Sequence, residues 1–333
     1  MEPRVTVNRS YAVKDIHPCF EIDETSYPFT KKASIRCALL IIFLALLAVV
    51  TTCGNLLVII SIIYFKQLHT STNYLILSLA VADLLVGVLD FPFSMAYTTT
   101  TCWYHEDLFC KVRGSIDVAL GQASILHLCC ISIDRYYAIC QPLTYKCKIN
   151  DRVTGIMVLV SWGIPALTGI ASINAGFNKS NCESGCLLDA LITATVGSIL
   201  LFYIPVIIML CIYLKIFFVA KIQANRILIR IHQSTKSRIT ISKTERKATK
   251  TLAIVMGVFL LCWTPFFLCI IFQPLTYYVT PISVVETFNW LAMSNSMLNP
   301  FIYGFFYSWF RSAFRIIFSG KILQGDFSNS QLH

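Results

Sequence analysis

Acidic side chains interrupt the long apolar stretches of this chain at spacings that place polar groups on common helix faces. Asp83 is followed seven residues on by Asp90, and Asp117 seven residues on by Ser124. Seven residues make nearly two helical turns and return to almost the same face about 10 Å along the axis. Two polar storeys are expected. The deep one holds Asp83, Ser124, Asn55, Asn295 and Asn299. This oxygen-rich set suits a hydrated sodium ion, since hard cations prefer oxygen ligands; a hydrogen-bond network through water is the plainer reading. The outer storey is Asp117 with Asp90. No basic side chain is expected beside Asp117 in any apolar stretch, so its carboxylate either takes a proton or awaits a cation from outside. Trp263, Phe266, Phe267 and Trp290 can offer π faces to an ammonium, although an aromatic stripe alone is more often core.

A second constellation lies at the other end. Arg135 stands eighteen residues from Asp117, roughly 27 Å along one helix. It follows Asp134, and Glu245 begins another apolar segment on the same side. An arginine between two acids makes a breakable latch. Pro205, Pro265 and Pro300 interrupt three of the later segments and give places where bending can concentrate.

The elements that must carry these residues are legible from composition. Of 333 residues, 56% are hydrophobic and only 13% charged, against about 25% charged in a soluble domain. A bilayer core is crossed by about 20 apolar residues in a helix. Seven such stretches occur, at 35–64, 73–98, 108–139, 154–173, 189–219, 248–273 and 281–305. Lipid supplies no hydrogen bonds, so each must be helical. The expected fold is an all-α membrane protein, a seven-transmembrane helix bundle over 34–305. Residues 1–33 form an outer N-terminal tail with no apolar run of the kind a cleaved leader needs; the first span then acts as an uncleaved anchor. Residues 306–320, where aromatic residues alternate with Arg311 and Arg315, are expected as an amphipathic helix on the inner leaflet, and 321–333 as a tail.

Charge orients the bundle. The net charge is +10, and residues 221–250 hold nine Lys or Arg against one acid, Glu245. Such a block can bind nucleic acid, but between two spans it reads as a cytoplasmic loop. With Lys66, Lys146, Lys148 and Arg152 it falls on one side, which the positive-inside rule makes cytoplasmic. The sequons at Asn8 and Asn178 then lie outside. Of fourteen Cys, Cys19, Cys110, Cys182 and Cys186 map to that oxidising side. Cys110 starts the third span, and a bridge to Cys186 would tie the second outer loop across the mouth; Cys19 and Cys182 are the remaining pair and Cys102 is left over. Spacing alone leaves the connectivity open.

Other classes fit poorly. A transporter would carry paired repeats and unwound helices. An enzyme would need a nucleophile with its base, or a metal cluster; His127 is the one His clearly within a span.

Read in order, several segments resemble the rhodopsin-like G-protein-coupled receptors over nearly the whole chain. They are Gly54-Asn55-Leu56-Leu57-Val58, Leu79-Ala80-Val81-Ala82-Asp83, Asp134-Arg135-Tyr136, Trp162, Pro205 with Tyr213, Cys262-Trp263-Thr264-Pro265 and Asn299-Pro300-Phe301-Ile302-Tyr303. Within that class, Asn295-Ser296-Met297-Leu298-Asn299-Pro300 and Tyr307-Ser308-Trp309-Phe310 look like the trace amine-associated receptors. Ser124-Ile125-Leu126-His127-Leu128 and Ile133 to Ala138 add to the likeness. The resemblance implies a plasma-membrane chemosensor for cationic amines, olfactory or trace-amine in role, that raises cyclic AMP through a stimulatory G protein. It implies Asp117 as the amine's counter-ion, Arg135, Tyr213 and Tyr303 at the G-protein cleft, and the Cys19–Cys182 bridge. A serotonin-like aminergic receptor is the nearest alternative and a small-amine transporter a distant one.

Two positions depart from the family pattern. Asp90 stands where an apolar residue is common, and Met293 where a Tyr often bonds the counter-ion. Gly197, Ser198 and Leu201 are a poor set of catechol partners. Asp90 and Asp117 at one depth, with Glu286 at the mouth, could hold a diamine or polyamine; equally, Asp90 could be a neutral partner replacing the missing Tyr.

Overall fold

The structure is a computed structural model that describes residues 35–99, 108–178, 197, 199–231, 237–272, 282–320, 327–329 and 332. Among these, every regular element is helical. Five helices are long and apolar enough to cross a membrane: Ala38–Tyr64, Ser71–Ala96, Val112–Cys140, Asp151–Ser172 and Ile254–Phe272. They carry the first four spans and the sixth. The described part of the fifth holds a shorter apolar helix, Ile204–Val219. The seventh is divided into Ile282–Met293 and Asn295–Phe306. Its polar residues Asn289, Asn295, Ser296 and Asn299 are buried, and they dilute its apolar signal because they face inward.

Large apolar side chains turn outward along the helices, including Leu39, Ile42, Leu46, Leu159, Leu167 and Phe217. The polar residues Asn55, Asp83, Asp90, Ser124 and Asn299 are buried. Lipid solvates the apolar face, so the bundle interior can be given to hydrogen-bonding groups. The third-span helix, Leu108–Cys140, is the central post, packing against the second, fourth and fifth spans.

Prolines set the irregularities. A proline offers no N–H and its ring crowds the carbonyl four residues back. In the second span a π-helical turn, Val86–Asp90, immediately precedes Phe91-Pro92, and in the fifth another, Ile199–Tyr203, precedes Ile204-Pro205. Each lengthened turn relieves that crowding. The sixth-span helix, Ser237–Phe272, runs through Pro265 without ending. In the seventh span the division falls at Ser294, earlier than the break expected at Pro300, which lies inside the following helix. Pro300 leaves the Ser296 carbonyl without its helical donor, and the side-chain amide of Asn55 replaces it, donating to that carbonyl at 3.0 Å. The same amide donates to the Thr51 carbonyl at 2.9 Å. Close approach at this seam needs Gly54, where an added Cβ would lie 3.1 Å from Pro300.

Beyond the seventh span the chain turns through extended Tyr307 into the helix Ser308–Phe318, shorter than the expected 306–320. Phe310 and Ala313 are its buried anchors, with Phe310 stacked on Tyr303 at 5.8 Å. The described part of the tail returns to the inner end of the first span. Lys66 N–H donates to the Ser328 carbonyl, Phe327 N–H to the Tyr64 hydroxyl and Leu332 N–H to Gln67.

The Asn55 bridge yields a test. Asn55→Ala leaves the Ser296 carbonyl buried without a donor, at a cost of about 1–3 kcal/mol. We expect a lower melting temperature in detergent by fluorescence-detected size exclusion. An unchanged melting temperature would refute the bridging role.

Candidate functional site

The outer storey is built by the second, third and seventh spans. Asp90 ends the π-helical turn and is 1% exposed. Its carboxyl neighbours that of Asp117. The expectation that Asp117 has no basic neighbour is overturned. Arg113, one turn earlier on the same helix face, places Nη2 3.3 Å from Asp117 Oδ2. Residues four apart in a helix meet side by side, so the pairing follows from spacing alone. The guanidinium is committed more closely elsewhere: its two terminal nitrogens donate to Glu286 Oε1 and Oε2 at 2.9 and 2.8 Å. This fork-on-fork geometry is the strong form of an arginine–carboxylate pair. A further donation reaches Ser94 Oγ at 3.3 Å.

Glu286, expected at the mouth as a seat for ligand, is therefore Arg113's principal partner. Asn289 occupies the role left by the missing Tyr, donating to Asp117 Oδ2 at 3.4 Å. Arg113, Ser94 and Asn289 were not among the expected site residues. Both Arg113 and Asn289 carried a spacing signal, since Arg113 is four residues from Asp117 and Asn289 three from Glu286.

All of these contacts fall on one side of Asp117. Among the described residues, neither Asp117 Oδ1 nor Asp90 Oδ1 has a hydrogen-bond partner, and both are buried. A buried acceptor that no protein donor meets costs free energy, and two side by side mark a place shaped for a donor. One turn inward, Gly121 leaves room for the sixth span; a Cβ there would lie 2.8 Å from Trp263 and 3.3 Å from Met293. Trp263 is thus the floor beneath Asp117. Phe267 lies 5.9 Å from Trp263 and stacks on Phe202 at 3.8 Å, with Phe266 edge-on to Phe267. The indole N–H groups of Trp263 and Trp290 have no partner. Ser198 lies outside the described residues.

In the deep storey Asp83 accepts from Ser124 at 3.1 Å, Ser296 at 2.7 Å and Asn299 at 2.7 Å. Ser296 was missed, although it adjoins Asn295 in sequence. Asn55 serves the Ser296 carbonyl instead of Asp83, and the Asn295 amide nitrogen has no partner. One carboxylate with hydroxyls and carboxamides fits a hard monovalent cation by donor chemistry. No cluster of three His, Cys, Asp or Glu fit for a metal occurs among the described residues.

At the inner end Asp134 is fully buried and pairs with Arg135, whose Nη2 lies 2.9 Å away. Thr72 and Tyr145 hydroxyls each donate to Asp134 at 2.8 Å. Neither was anticipated from sequence. Burial pushes the Tyr145 phenol above its ordinary pKa, so it stays a donor. Ser132 donates to the Tyr213 hydroxyl at 3.0 Å, and Tyr303 is buried against Phe310. Glu245 is on the sixth-span helix, but its side chain, like those of Cys110 and Asn178, lies outside what the structure describes, as do Asn8, Cys19, Cys182 and Cys186.

The bundle thus carries a buried carboxylate cluster near one end and the Asp134–Arg135 pair at the other. The family model of the seven-transmembrane receptors of the rhodopsin family matches residues 54–303. Trace amine-associated receptor 1 of Macaca mulatta is 44% identical over 305 residues, covering 87% of this chain and 90% of the relative. Trace amine-associated receptor 1 of Mus musculus is 42% identical over 331 residues, covering 95% and 99%. Trace amine-associated receptor 4 of Mus musculus is 42% identical over 335 residues, covering 96% of each. The chain belongs to the trace amine-associated receptors, within the rhodopsin family. It is a multi-pass membrane receptor and not an enzyme, and its family's intracellular partner is a G protein.

Tyr145→Phe removes one hydrogen bond from Asp134, worth about 0.5–1.5 kcal/mol. With Arg135 held less firmly, ligand-independent nucleotide exchange on the G protein should rise roughly twofold to tenfold at matched surface expression. Basal exchange equal to the parent's would count against Tyr145 as part of the latch.

Proposed function

We propose that this receptor senses small cationic amines with Asp117 as counter-ion, couples to a stimulatory or olfactory-type heterotrimeric G protein, and raises cyclic AMP. The observation that carries the reading is the pair of buried acceptors, Asp117 Oδ1 and Asp90 Oδ1, without hydrogen-bond donors. An ammonium brings donors and positive charge together, which is what those oxygens lack. Arg113 does not supersede it. Among the described residues Arg113 is held bidentately by Glu286 and reaches one oxygen of Asp117, so the other oxygen of Asp117 is left to a ligand. The trace amines in the names of the relatives point to the same ligand chemistry.

The amine enters from outside and donates to Asp117 above Trp263, with its apolar body against the aromatic set of Phe266, Phe267 and Trp290. Binding favours the conformer in which the sixth span bends about Pro265 and its inner end moves outward. The Asp134–Arg135 pair opens, and Arg135, Tyr213 and Tyr303 then line the G-protein cleft. A ligand shifts this equilibrium only by its differential affinity for the two conformers. The Asp83 cluster accommodates a sodium ion in the resting conformer. In this topology the N-terminal tail is extracellular, with glycans on Asn8 and Asn178 and bridges Cys110–Cys186 and Cys19–Cys182. The receptor resides in the plasma membrane of a chemosensory cell, with olfactory cilia as the fitting site.

The experiment is a panel of mono-, di- and polyamines against a cyclic-AMP reporter in transfected cells, run with Asp117→Ala. The variant should lose potency about 30-fold or more while surface labelling holds. Wild-type potency in Asp117→Ala would overturn the assignment.

A further inference from the structure

We infer that Arg113 is a resident cation filling the second cation seat of the outer cluster, and that it restricts the receptor to amines carrying one positive charge. The inference rests on the reading that Asp117 receives the ligand's ammonium.

Three carboxyls in one chamber, Asp90, Asp117 and Glu286, suggest a seat for a dication when read from sequence. The structure gives one of them away. Arg113 grips both oxygens of Glu286, at 2.9 and 2.8 Å, and leans on Asp117 Oδ2 at 3.3 Å. It is 6% exposed and donates also to Ser94. The guanidinium is thus held between the third and seventh spans by contacts on both.

Charge counting gives the consequence. Arg113 and Glu286 neutralise each other. Asp90 and Asp117 are adjoining carboxyls whose Oδ1 atoms have no donor among the described residues, and one cation placed between them can answer both. A single ammonium satisfies both. Among the described residues, a second ammonium reaches a carboxylate only beside Arg113 or by pulling Glu286 from a bidentate grip. Like charges brought together in a desolvated chamber are strongly disfavoured. Selectivity for monoamines then arises from a repulsive element inside the site, which is how specificity is commonly built.

The test uses amine pairs that differ by a second amino group. Pentylamine is compared with 1,5-diaminopentane, and 2-phenylethylamine with its ring-substituted 4-(aminomethyl) analogue, by cyclic-AMP response. In the parent receptor the monoamine of each responding pair should be about tenfold more potent or better. Arg113→Gln should shift the diamine-to-monoamine potency ratio toward the diamine by about tenfold. Arg113→Met likewise removes the resident cation and keeps an unbranched side chain in its place. It should shift the ratio the same way, and it stands in if Arg113→Gln fails to reach the surface. A parent receptor that answers diamines as readily as monoamines overturns the inference, as does an unmoved ratio in a variant that surface labelling shows to be present. A parent receptor silent to every amine overturns the amine assignment itself, and this inference with it. A parent that answers monoamines while the ratio stays fixed overturns the role of Arg113 alone.

Discussion

Asp117 is claimed from one side only. Oδ2 faces Arg113 and Asn289, while Oδ1 faces no donor. In water this asymmetry would be trivial, because solvent would complete the shell. Inside a bundle wrapped in lipid a buried acceptor is costly unless a donor meets it, so the surrounding packing has to set its position. The enforcement is visible. Arg113 is held on Glu286, Asp90 is fixed at the end of a π-helical turn, and Gly121 admits Trp263 as a floor. Each of these comes from a different helix or a different turn, so the relative positions of the spans determine how the carboxylate is met.

The same economy runs along the third-span helix. Asp117, Gly121, Ser124, Ser132 and Asp134 lie on one helix and face, in turn, the outer cluster, Trp263, Asp83, Tyr213 and the inner latch. A straight helix holds its two ends in fixed register, so its own deformation is a poor carrier of signal. The elements able to rearrange are those whose backbone ladder is already broken: the π-helical turns before Pro92 and Pro205, the sixth span at Pro265, and the seventh at Ser294. Their freed carbonyls are met by side chains such as Asn55. A backbone group satisfied by a side chain from another helix can change partner with a small movement, whereas an intrahelical bond cannot.

Much of the fold was legible because lipid permits so few alternatives. The first span was expected at 35–64 and lies at Ile35–Tyr64; the third, expected at 108–139, lies at Leu108–Cys140. The sixth-span helix starts at Ser237, well before the expected 248. Its N-terminal extension is polar and carries no hydropathy signal, though helix geometry continues through it. The deep cluster was legible too, since Asp83 and Ser124 are single polar residues in apolar runs. Asn55 was grouped with them on polarity, but its true partner is the backbone carbonyl freed by Pro300. Residue type does not reveal that role unless the missing proline N–H is traced four residues back.

Arg113 is hidden by the charge pattern of the chain, because Lys and Arg gather at the opposite rim. Yet Arg113 and Asp117 stand four residues apart on a helix, the spacing that obliges two long polar side chains to meet. A buried acid should be read with every ionisable group at three and four residues on either side before it is called unpaired. Read that way, Arg113-x-x-x-Asp117 on the third span and Glu286-x-x-Asn289 on the seventh are two halves of one polar seam. The seam joins the helices at the level where a ligand enters, and the outer chamber is defined by how much of its negative charge the seam leaves unanswered.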